Sequence, residues 1–488
     1  MLKRAWKPIL GTAVLVAPPA FLYYRYRSPT FSVNDGKAHM VKRSFPLLSK
    51  LAVDQRINEF TMSASQPASQ GLVWKHATAH LASNDPIEDA HAQAVITTKA
   101  TSSTPARNLL FYSVMDGHAG FHTSRLLSHV LIPAVVLELA SLARDSASST
   151  VSQAIRTAFD NVDFEIVNGP LRVLAANVSK PGMDNIPDLS QHPMGEASML
   201  PALSGSCALM ALLDPSQRDL YVACTGDSRA VAGIWEENED GRGKWRVEVL
   251  TEDQTGRNAN EVERVRSEHP ASEAEEVIQR GRILGGLEPS RAFGDARYKW
   301  PREVQQTLYG AFFASTGRTF RPTPAALKTP PYVIATPVVT HRKLSLPNPG
   351  SPERRPSSSL KFLVLATDGL WDELSSEEVV ALVGGYFAGL KGTISKSSLS
   401  TLVPTTAGSP TVQGKEGTRG TARQGSWAFV DDSVSAHLIR NAFGGSDEDK
   451  LRRTLSIPAP YSRRWRDDVT VTVVWWEEAQ ESRTKTKL

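Results

Sequence analysis

Cysteine is scarce in this chain. Cys207 and Cys224 are the only two among 488 residues, and each lies inside an apolar run. Small secreted domains that rely on disulfides carry many more cysteines, so the composition argues against a disulfide-built secreted protein. Both cysteines are expected to be small core residues.

Charge of one sign is not concentrated along the chain either. The net charge is +4, from 55 basic and 51 acidic residues, and the basic residues are spread out rather than clustered with aromatic residues. A nucleic-acid partner is therefore not predicted. The loop that cradles nucleotide phosphates is also missing, because five residues separate Gly408 from Gly414 and Glu416 follows Lys415.

Acidic residues are absent from the first 34 positions, which contain Lys3, Arg4, Lys7, Arg25 and Arg27. This composition resembles a mitochondrial targeting segment, and we expect a mitochondrial location, in the matrix or at the inner membrane. Residues 9–24 are apolar but contain two prolines. As a helix they would reach about 24 Å, short of the ~30 Å hydrocarbon core. A cleaved presequence, membrane association through residues 9–24 and a secretory signal anchor all stay open.

Length and composition suggest the domain organisation. The length allows one large domain with insertions or two smaller domains. We expect a targeting segment at 1–34, a linker with a short helix at 35–70, a folded domain at 71–476 and a C-terminal tail at 477–488. Two stretches, 341–359 and 391–426, are rich in Pro, Ser, Thr or Gly and are predicted to be mobile insertions.

The periodicity of apolar residues predicts the elements of the fold. Short apolar runs predict strands at 206–213, 219–224, 230–235 and 245–250, and longer patterns predict helices at 121–143 and 151–167. Residues 178–203 are rich in Pro, Ser, Gly and Met and are predicted to form a loop. Strands in blocks and helices in pairs indicate an α+β fold, with helices packed outside a sheet-based core.

Acidic residues stand at the ends of four predicted strands. Asp116, Asp227 and Asp368 follow apolar runs, and Asp467 comes just before the alternating run 469–476. Any single Asp-Gly after a strand is usually a turn, but antiparallel neighbours would bring all four acids to one edge. Crowded carboxylates repel and take up protons unless cations neutralise them, so we predict a site for hard divalent ions.

Several blocks of the sequence carry a resemblance to a known family. They are Ile87–Asp89, Val114–Gly120, Ser204–Ala208, Thr225–Ala230, Gly285–Asp295, Ala366–Asp372 and Asp467–Val471. In order and spacing, from about residue 71 to 476, they resemble the metal-dependent type 2C (PPM) protein serine/threonine phosphatases. The resemblance implies a central antiparallel β-sandwich flanked by helix pairs on both faces, a four-layer α-β-β-α arrangement.

The chain resembles one branch of that family more closely than the family as a whole. Asn84–Asp89 and Arg291–Trp300 look like the mitochondrial pyruvate dehydrogenase phosphatases. Many relatives carry an arginine that binds the substrate phosphate four positions before the glutamate, where this chain has Asn84. An amide can donate a hydrogen bond to phosphate but cannot form the charged bidentate clamp of a guanidinium, so that phosphate contact is weaker here.

The resemblance also implies a set of metal ligands. Asp116 would bridge two ions, with the carbonyl of Gly117 on one of them, and Asp368 and Asp467 would complete the protein ligands of the other. Oxygen ligands with several waters suit Mg²⁺ or Mn²⁺ rather than zinc. We therefore expect two Mg²⁺ or Mn²⁺ ions, with a weaker third.

Other residues of the motifs would support these ions. By position, Glu88 would hold metal-bound water, Asp89 would support it, and Asp227 with Asp372 matches the weaker third metal. The two ions would activate a shared water for attack on phosphorus. His118 would then protonate the departing serine or threonine oxygen, although a plain hydrogen-bonding role for His118 stays open.

The leading interpretation is a phosphatase that acts on phosphoserine and phosphothreonine in proteins, with pyruvate dehydrogenase as the expected substrate. A thiolate mechanism is not indicated, because no arginine stands six positions after either cysteine. Two alternatives stay open: an inactive phosphatase-like binding module, and a membrane-anchored phosphatase of another compartment. Inactive relatives generally lose metal acids, whereas every such position is filled here, which favours the enzyme.

Overall fold

Strands and helices occur in blocks along the chain. The computed structural model describes residues 30–34, 40–66, 71–98, 106–178, 186–237, 243–318, 321–347, 357–406 and 425–479. The strands are β1 (Thr30–Asn34), β2 (Met40–Ser44), β3 (Thr61–Ser65), β4 (Leu72–Leu81), β5 (Ala90–Thr98), β6 (Arg107–His118), β7 (Gly205–Asp214), β8 (Asp219–Thr225), β9 (Arg229–Glu237), β10 (Gly243–Val249), β11 (Ile278–Gln279), β12 (Arg282–Ile283), β13 (Phe293–Gly294), β14 (Val338–Lys343), β15 (Ser358–Ala366), β16 (Gly392–Ser395), β17 (Thr405–Thr406), β18 (Ser426–Phe429) and β19 (Val469–Glu478).

The helices alternate with these blocks. They are α1 (Lys50–Asn58), α2 (His122–Ala140), α3 (Ser148–Asn177), α4 (Gly195–Leu203), α5 (Ala259–Ser267), α6 (Arg302–Phe313), α7 (Asp368–Trp371), α8 (Ser376–Phe387), α9 (Lys396–Leu402), α10 (Val434–Phe443) and α11 (Glu448–Ser456). Short 3₁₀ turns lie at Ala271–Glu273, Ala296–Tyr298 and Tyr461–Arg464.

Two sheets form the centre of the molecule. The first has the strand order β17-β10-β9-β15-β19-β4-β3, and the second has the order β14-β8-β7-β6-β5, with β13 added to β7. Neighbouring strands are antiparallel except for the short β10–β17 pair. This arrangement confirms the predicted antiparallel sheets.

Alternation along β6 shows how the layers are held together. Leu110, Tyr112 and Val114 point into the core between the two sheets, whereas Phe111 and Met115 point outward into a second core that contains α2, α3, α4 and α6. A third core covers the other face of the first sheet with α1, α8, α10 and α11. Because side chains alternate with a period of two, each central strand contributes to two cores. The four-layer α-β-β-α prediction is confirmed.

The short helix expected in the linker at 35–70 is present as α1, but the second half of this stretch is packed on the domain and is not a linker. Helix α1 buries Val53 and Ile57, which are 2% and 0% exposed, in the core on the first sheet. Strand β3 then extends that sheet by pairing with β4. The two apolar residues are four positions apart, which places them on one helix face. That spacing is enough to dock the helix, so the packed domain begins well before Gly71.

The predicted mobile insertions are also corrected. Residues 341–343 belong to β14, which pairs with β8, and Leu344 and Leu346 are buried between the sheets. Residues 392–406 form β16, α9 and β17, and bury Leu399 and Val403. A few apolar side chains thus anchor a Ser/Thr-rich stretch. Residues 348–356 and 407–424 lie outside the described residues.

Two further boundaries differ from the sequence prediction. Helix α4 occupies the end of the expected loop 178–203, because Met199 and Ala202 pack into the core below α2 and α3. Strand β19 continues to Glu478, into the expected tail. Most of the predicted targeting segment, including residues 9–24, lies outside the described residues.

Among the described helices, α2 is long and apolar enough to cross a membrane by length and composition alone. Its residues Leu127, Leu131 and Val135 are each 0% exposed and pack against the second sheet. This contact accounts for the apolar face of α2 as part of the core.

The role of α1 in the core generates a test. Replacing Ile57 with alanine should lower the free energy of unfolding by about 2–5 kcal/mol, because it leaves a cavity in a fully buried site. Leu51→Ala on the same helix is the matched control, since Leu51 is 67% exposed and its loss should change stability by less than about 0.5 kcal/mol. Urea unfolding measures both. Equal stability of the two variants would contradict the packing of α1.

Candidate metal centre

Three carboxylates from different elements meet at one edge of the sandwich. Asp116 lies near the end of β6, Asp227 follows β8, and Asp368 is the first residue of α7, directly after β15. An oxygen of each lies within 4.8 Å of an oxygen of the other two. Strands β6 and β8 belong to the second sheet and β15 to the first, so the cluster joins both sheets. The predicted meeting of strand-end acids is borne out for these three residues.

Asp467 lies beside this group, ahead of β19. Burial, and after it the charge of Asp368, raises the pKa of Asp467 to about 8. The same two causes raise the pKa of Asp116 well above its ordinary value. Carboxylates whose pKa values are raised by burial and by a neighbouring charge hold negative charge at a cost, which bound divalent cations would remove. The residues at this edge therefore fit hard cations such as Mg²⁺ or Mn²⁺.

Two glycines let the acid-bearing segments approach closely. A Cβ atom at Gly117 would overlap the carbonyl oxygen of Glu88, and one at Gly369 would overlap the carbonyl oxygen of Asp468. Only glycine fits at these contacts without a shift of the backbone. Gly117 thus keeps β6 against the Glu88 segment, while Gly369 keeps α7 against the segment that carries Asp467. The contribution of the Gly117 carbonyl to an ion stays a prediction.

Asp468, which the sequence analysis gave no role, organises the loop before β5. Its carboxylate accepts hydrogen bonds from the backbone N–H groups of Ser83 (2.5 Å), Asn84 (2.9 Å) and Glu88 (2.8 Å). Asp468 is 3% exposed, so these bonds compensate a buried charge. The Asp467-Asp468 pair was visible in the sequence, but nothing local distinguished the anchoring acid from its neighbour.

Glu88 and Asn84 are fixed by this loop. Glu88 Oε1 accepts from the N–H of Gly120 at 2.6 Å, and burial raises the pKa of Glu88. The side-chain nitrogen of Asn84 lies 2.9 Å from Asp468 Oδ2 and 3.2 Å from Glu88 Oε2. Both amide hydrogens of Asn84 therefore have carboxylate acceptors. Its expected contact with a substrate phosphate stays a prediction.

Asp89 ties the ends of two neighbouring strands together. Its Oδ2 accepts from the hydroxyls of Thr367 at 2.9 Å and Thr470 at 2.8 Å. Burial, and then the charge of Asp468, raises the pKa of Asp89 well above its ordinary value. The supporting role expected for Asp89 at the ions stays a prediction. Asp372 caps α7 and lies outside the group of three close carboxylates among the described residues, so its pairing with Asp227 at a third metal stays a prediction.

His118, at the end of β6, is held by a residue that the sequence analysis left unassigned. Its Nε2 lies 2.6 Å from Asp295 Oδ2. Burial alone would lower the pKa of His118, but Asp295 outweighs burial and the pKa is raised. A Cβ atom at Gly205 would overlap both groups, so glycine is needed opposite the pair. Asp295 ends the Gly285–Asp295 block, and that position was the available signal.

The remaining motif residues are structural. Cys207 is buried opposite Asp116 on β7, and its thiol donates to Asp227 Oδ1 at 3.2 Å. Cys224 is also buried, in the core between the sheets. Ser290 and Arg291 both bind the carboxylate of Glu261 on α5, so they join the Gly285–Asp295 block to that helix.

Comparison with known proteins gives matches along most of the chain. Residues 82–385 match the family model described as Protein phosphatase 2C. The chain is 36% identical over 452 residues to a protein phosphatase 2C homolog of Schizosaccharomyces pombe, covering 91% of this chain and 89% of that protein. It is 35% identical over 430 residues to the mitochondrial pyruvate dehydrogenase (acetyl-transferring) phosphatase 1 of Saccharomyces cerevisiae, covering 83% of this chain and 69% of the yeast protein. The human protein of that name is 37% identical over 282 residues, covering 56% of this chain and 48% of the human one.

The raised pKa values predict how cations affect stability. Without cations, the folded protein keeps protons on Asp116 and Asp467 that the unfolded chain releases above about pH 4. The stability of the metal-free protein should therefore fall as the pH rises from about 4 to about 8. Cations replace these protons, so Mn²⁺ should raise the thermal midpoint more at pH 8 than at pH 5.5. Calorimetry with and without Mn²⁺ measures this. An equal effect at both pH values would contradict the proton-for-cation exchange.

Proposed function

The chain belongs to the protein phosphatase 2C family and is a protein serine/threonine phosphatase, and on this basis we propose that its acidic cluster hydrolyses phosphoserine and phosphothreonine with two bound divalent cations. The observation that carries the proposal is the meeting of Asp116, Asp227 and Asp368 within 4.8 Å. The raised pKa values of Asp116 and Asp467 support it, because they indicate a site that favours added positive charge.

The ligands divide between two positions. In the proposal, Asp116 is shared, the carbonyl of Gly117 serves one ion, and Asp368 and Asp467 serve the other. Bound there, Mg²⁺ or Mn²⁺ would neutralise charge on the phosphoryl oxygens and lower the pKa of a water molecule. Glu88 and Asp89 keep the surrounding segments in place through the contacts to Gly120, Thr367 and Thr470. Asp227 with Asp372 is proposed to hold a weaker third ion.

His118 is proposed to act as the general acid. The carboxylate of Asp295 keeps the imidazole protonated above its ordinary range and occupies Nε2. Nδ1 is left to donate its proton to the serine or threonine oxygen as the bond from phosphorus to that oxygen breaks. Such proton donation contributes roughly 10²–10⁴-fold to a rate. Asp295 is a positioning residue in this scheme.

The proposed substrate is phosphorylated pyruvate dehydrogenase in the mitochondrion. The support is the identity to the Saccharomyces cerevisiae and human phosphatases, whose names carry that substrate, together with the basic, acid-free first 34 residues. Association with the inner membrane through residues 9–24 belongs to the same proposal. A reporter fused to residues 1–45 tests the location, and reporter signal in the secretory pathway would contradict it.

The activity itself can be measured as phosphate release. The full chain should release phosphate from a phosphoserine peptide of pyruvate dehydrogenase only when Mn²⁺ or Mg²⁺ is present. Asp368→Asn should lower this release at least about 100-fold, because it removes the charge of one of the two carboxylates proposed to bind the same ion as Asp116. Asp432→Asn is the control, since Asp432 is an exposed acid outside the cluster. Equal activity of Asp368→Asn and the original chain at limiting metal would contradict the ligand assignment.

The role of His118 depends on the leaving group. His118→Gln should slow turnover of a phosphoserine peptide by roughly 10²–10⁴-fold, and that of p-nitrophenyl phosphate much less, because p-nitrophenolate leaves without a proton. Asp295→Asn should move the alkaline limb of the kcat profile to lower pH, since it removes the charge that raises the pKa of His118. His129→Gln, at an exposed position on α2, is the control. Equal losses on both substrates would contradict the acid role.

A further inference from the structure

Arg463 lies at the rim of the acidic cluster. It belongs to the 3₁₀ turn Tyr461–Arg464, four residues before Asp467, and its NH1 is 2.7 Å from Asp467 Oδ2. The Arg463 side chain is 51% exposed, whereas that of Asp467 is 18% exposed. The guanidinium therefore lies between the acids and solvent, on the side that a bulky phosphoprotein can reach.

The charge of Arg463 is directed at the cluster as a whole. Burial alone would lower its pKa, but the charges of Asp467, Asp368 and Asp116 together raise it. Arg463 in turn acts to lower the pKa of Glu88. Through its contact with Asp467, the guanidinium lies at the edge of the site where the phosphoryl group must react.

The guanidinium of Arg463 has more N–H donors than its contact with Asp467 uses. It carries five N–H groups, and within the described part of the chain its one ion pair uses NH1. Tetrahedral phosphoryl groups accept paired N–H bonds from arginine, which are stronger than bonds from an amide. Cations bound at Asp467 and its neighbours would weaken the hold of those acids on Arg463, which leaves the guanidinium to a phosphate oxygen.

Three other polar side chains near the cluster are either bound by carboxylates or buried away from solvent. Both amide hydrogens of Asn84 have carboxylate acceptors, and His118 is held by Asp295. Arg466 is 2% exposed, and its NH1 donates to the carbonyl of Ala82. Exposure and position thus single out Arg463 over these three.

We propose that Arg463 binds the phosphoryl oxygens of the substrate, and of the phosphate product, at the rim of the acidic cluster. The role rests on the proposed function, because the phosphoryl group must enter this cluster. It places a cation for substrate recognition in the turn before β19, far in sequence from Asn84, at a point where the fold brings the two segments together through Asp468.

The test compares Arg463→Gln with Arg464→Gln, an equal loss of charge at the neighbouring exposed position. At saturating Mn²⁺, Arg463→Gln should raise the KM for a phosphoserine peptide and the inhibition constant of inorganic phosphate by about tenfold or more, as expected for one lost charge-assisted hydrogen bond. Calorimetric binding of inorganic phosphate should weaken by the same factor. The Mn²⁺ concentration for half-maximal activity should change less than twofold, and Arg463→Lys should recover part of the affinity.

Two outcomes would overturn the proposal. One is a shift in the Mn²⁺ requirement with unchanged phosphate binding, which would make Arg463 a positioning residue for Asp467. The other is equal phosphate binding by the Arg463 and Arg464 variants. If the original chain released no phosphate, the proposed function would fail, but phosphate binding by the same variants would still decide the role of Arg463. Thermal midpoints of all variants show that each is folded.

Discussion

Repulsion among carboxylates at one edge of the sandwich is the constraint on which the rest of the site depends. Asp116, Asp227 and Asp368 come from three separate elements and from both sheets, and their oxygens lie within 4.8 Å of one another. Left to themselves such groups separate or take up protons. The sheets prevent separation, because each acid is fixed to a strand end whose register is set by buried side chains on two faces. Burial, and after it this crowding, raises the pKa values of Asp116 and Asp467.

The fold uses other carboxylates to hold that arrangement. Asp89 and Asp468 are buried as deeply as the cluster, but their oxygens accept hydrogen bonds from hydroxyls or backbone N–H groups. These bonds join the ends of β15 and β19 to the loop before β5, and at Asp468 they compensate a buried charge. Acids that are bound by hydrogen bonds serve as anchors, and the acids that are crowded against one another are the proposed ligands. The same residue type thus performs two roles, which only its surroundings separate.

Local pattern predicted the sheets and the acids but not the partners. Apolar runs followed by Asp gave the positions of Asp116, Asp227 and Asp368, because strand ends are visible in sequence. The contact of His118 with Asp295 spans 177 residues, and that of Asn84 with Asp468 spans 384. No periodic pattern of apolar residues predicts contacts between such distant residues, because these contacts depend on how the two sheets are stacked. The docking of α1 was missed for a related reason. The composition of residues 35–70 predicted a linker, whereas two buried side chains, Val53 and Ile57, are enough to dock the helix.

The proposed role of Arg463 would supply the site with a positive charge that the amide of Asn84 cannot provide. Asn84 sits where an arginine is common among resembling proteins, and its amide is used to bind Asp468 and Glu88. A guanidinium on the turn before Asp467 reaches the cluster from the solvent side instead. Since Coulombic attraction depends on distance and screening rather than on order along the chain, a cation can serve the same phosphate from either segment. What matters for the phosphate is the location of the charge, and the turn before β19 places Arg463 beside Asp467.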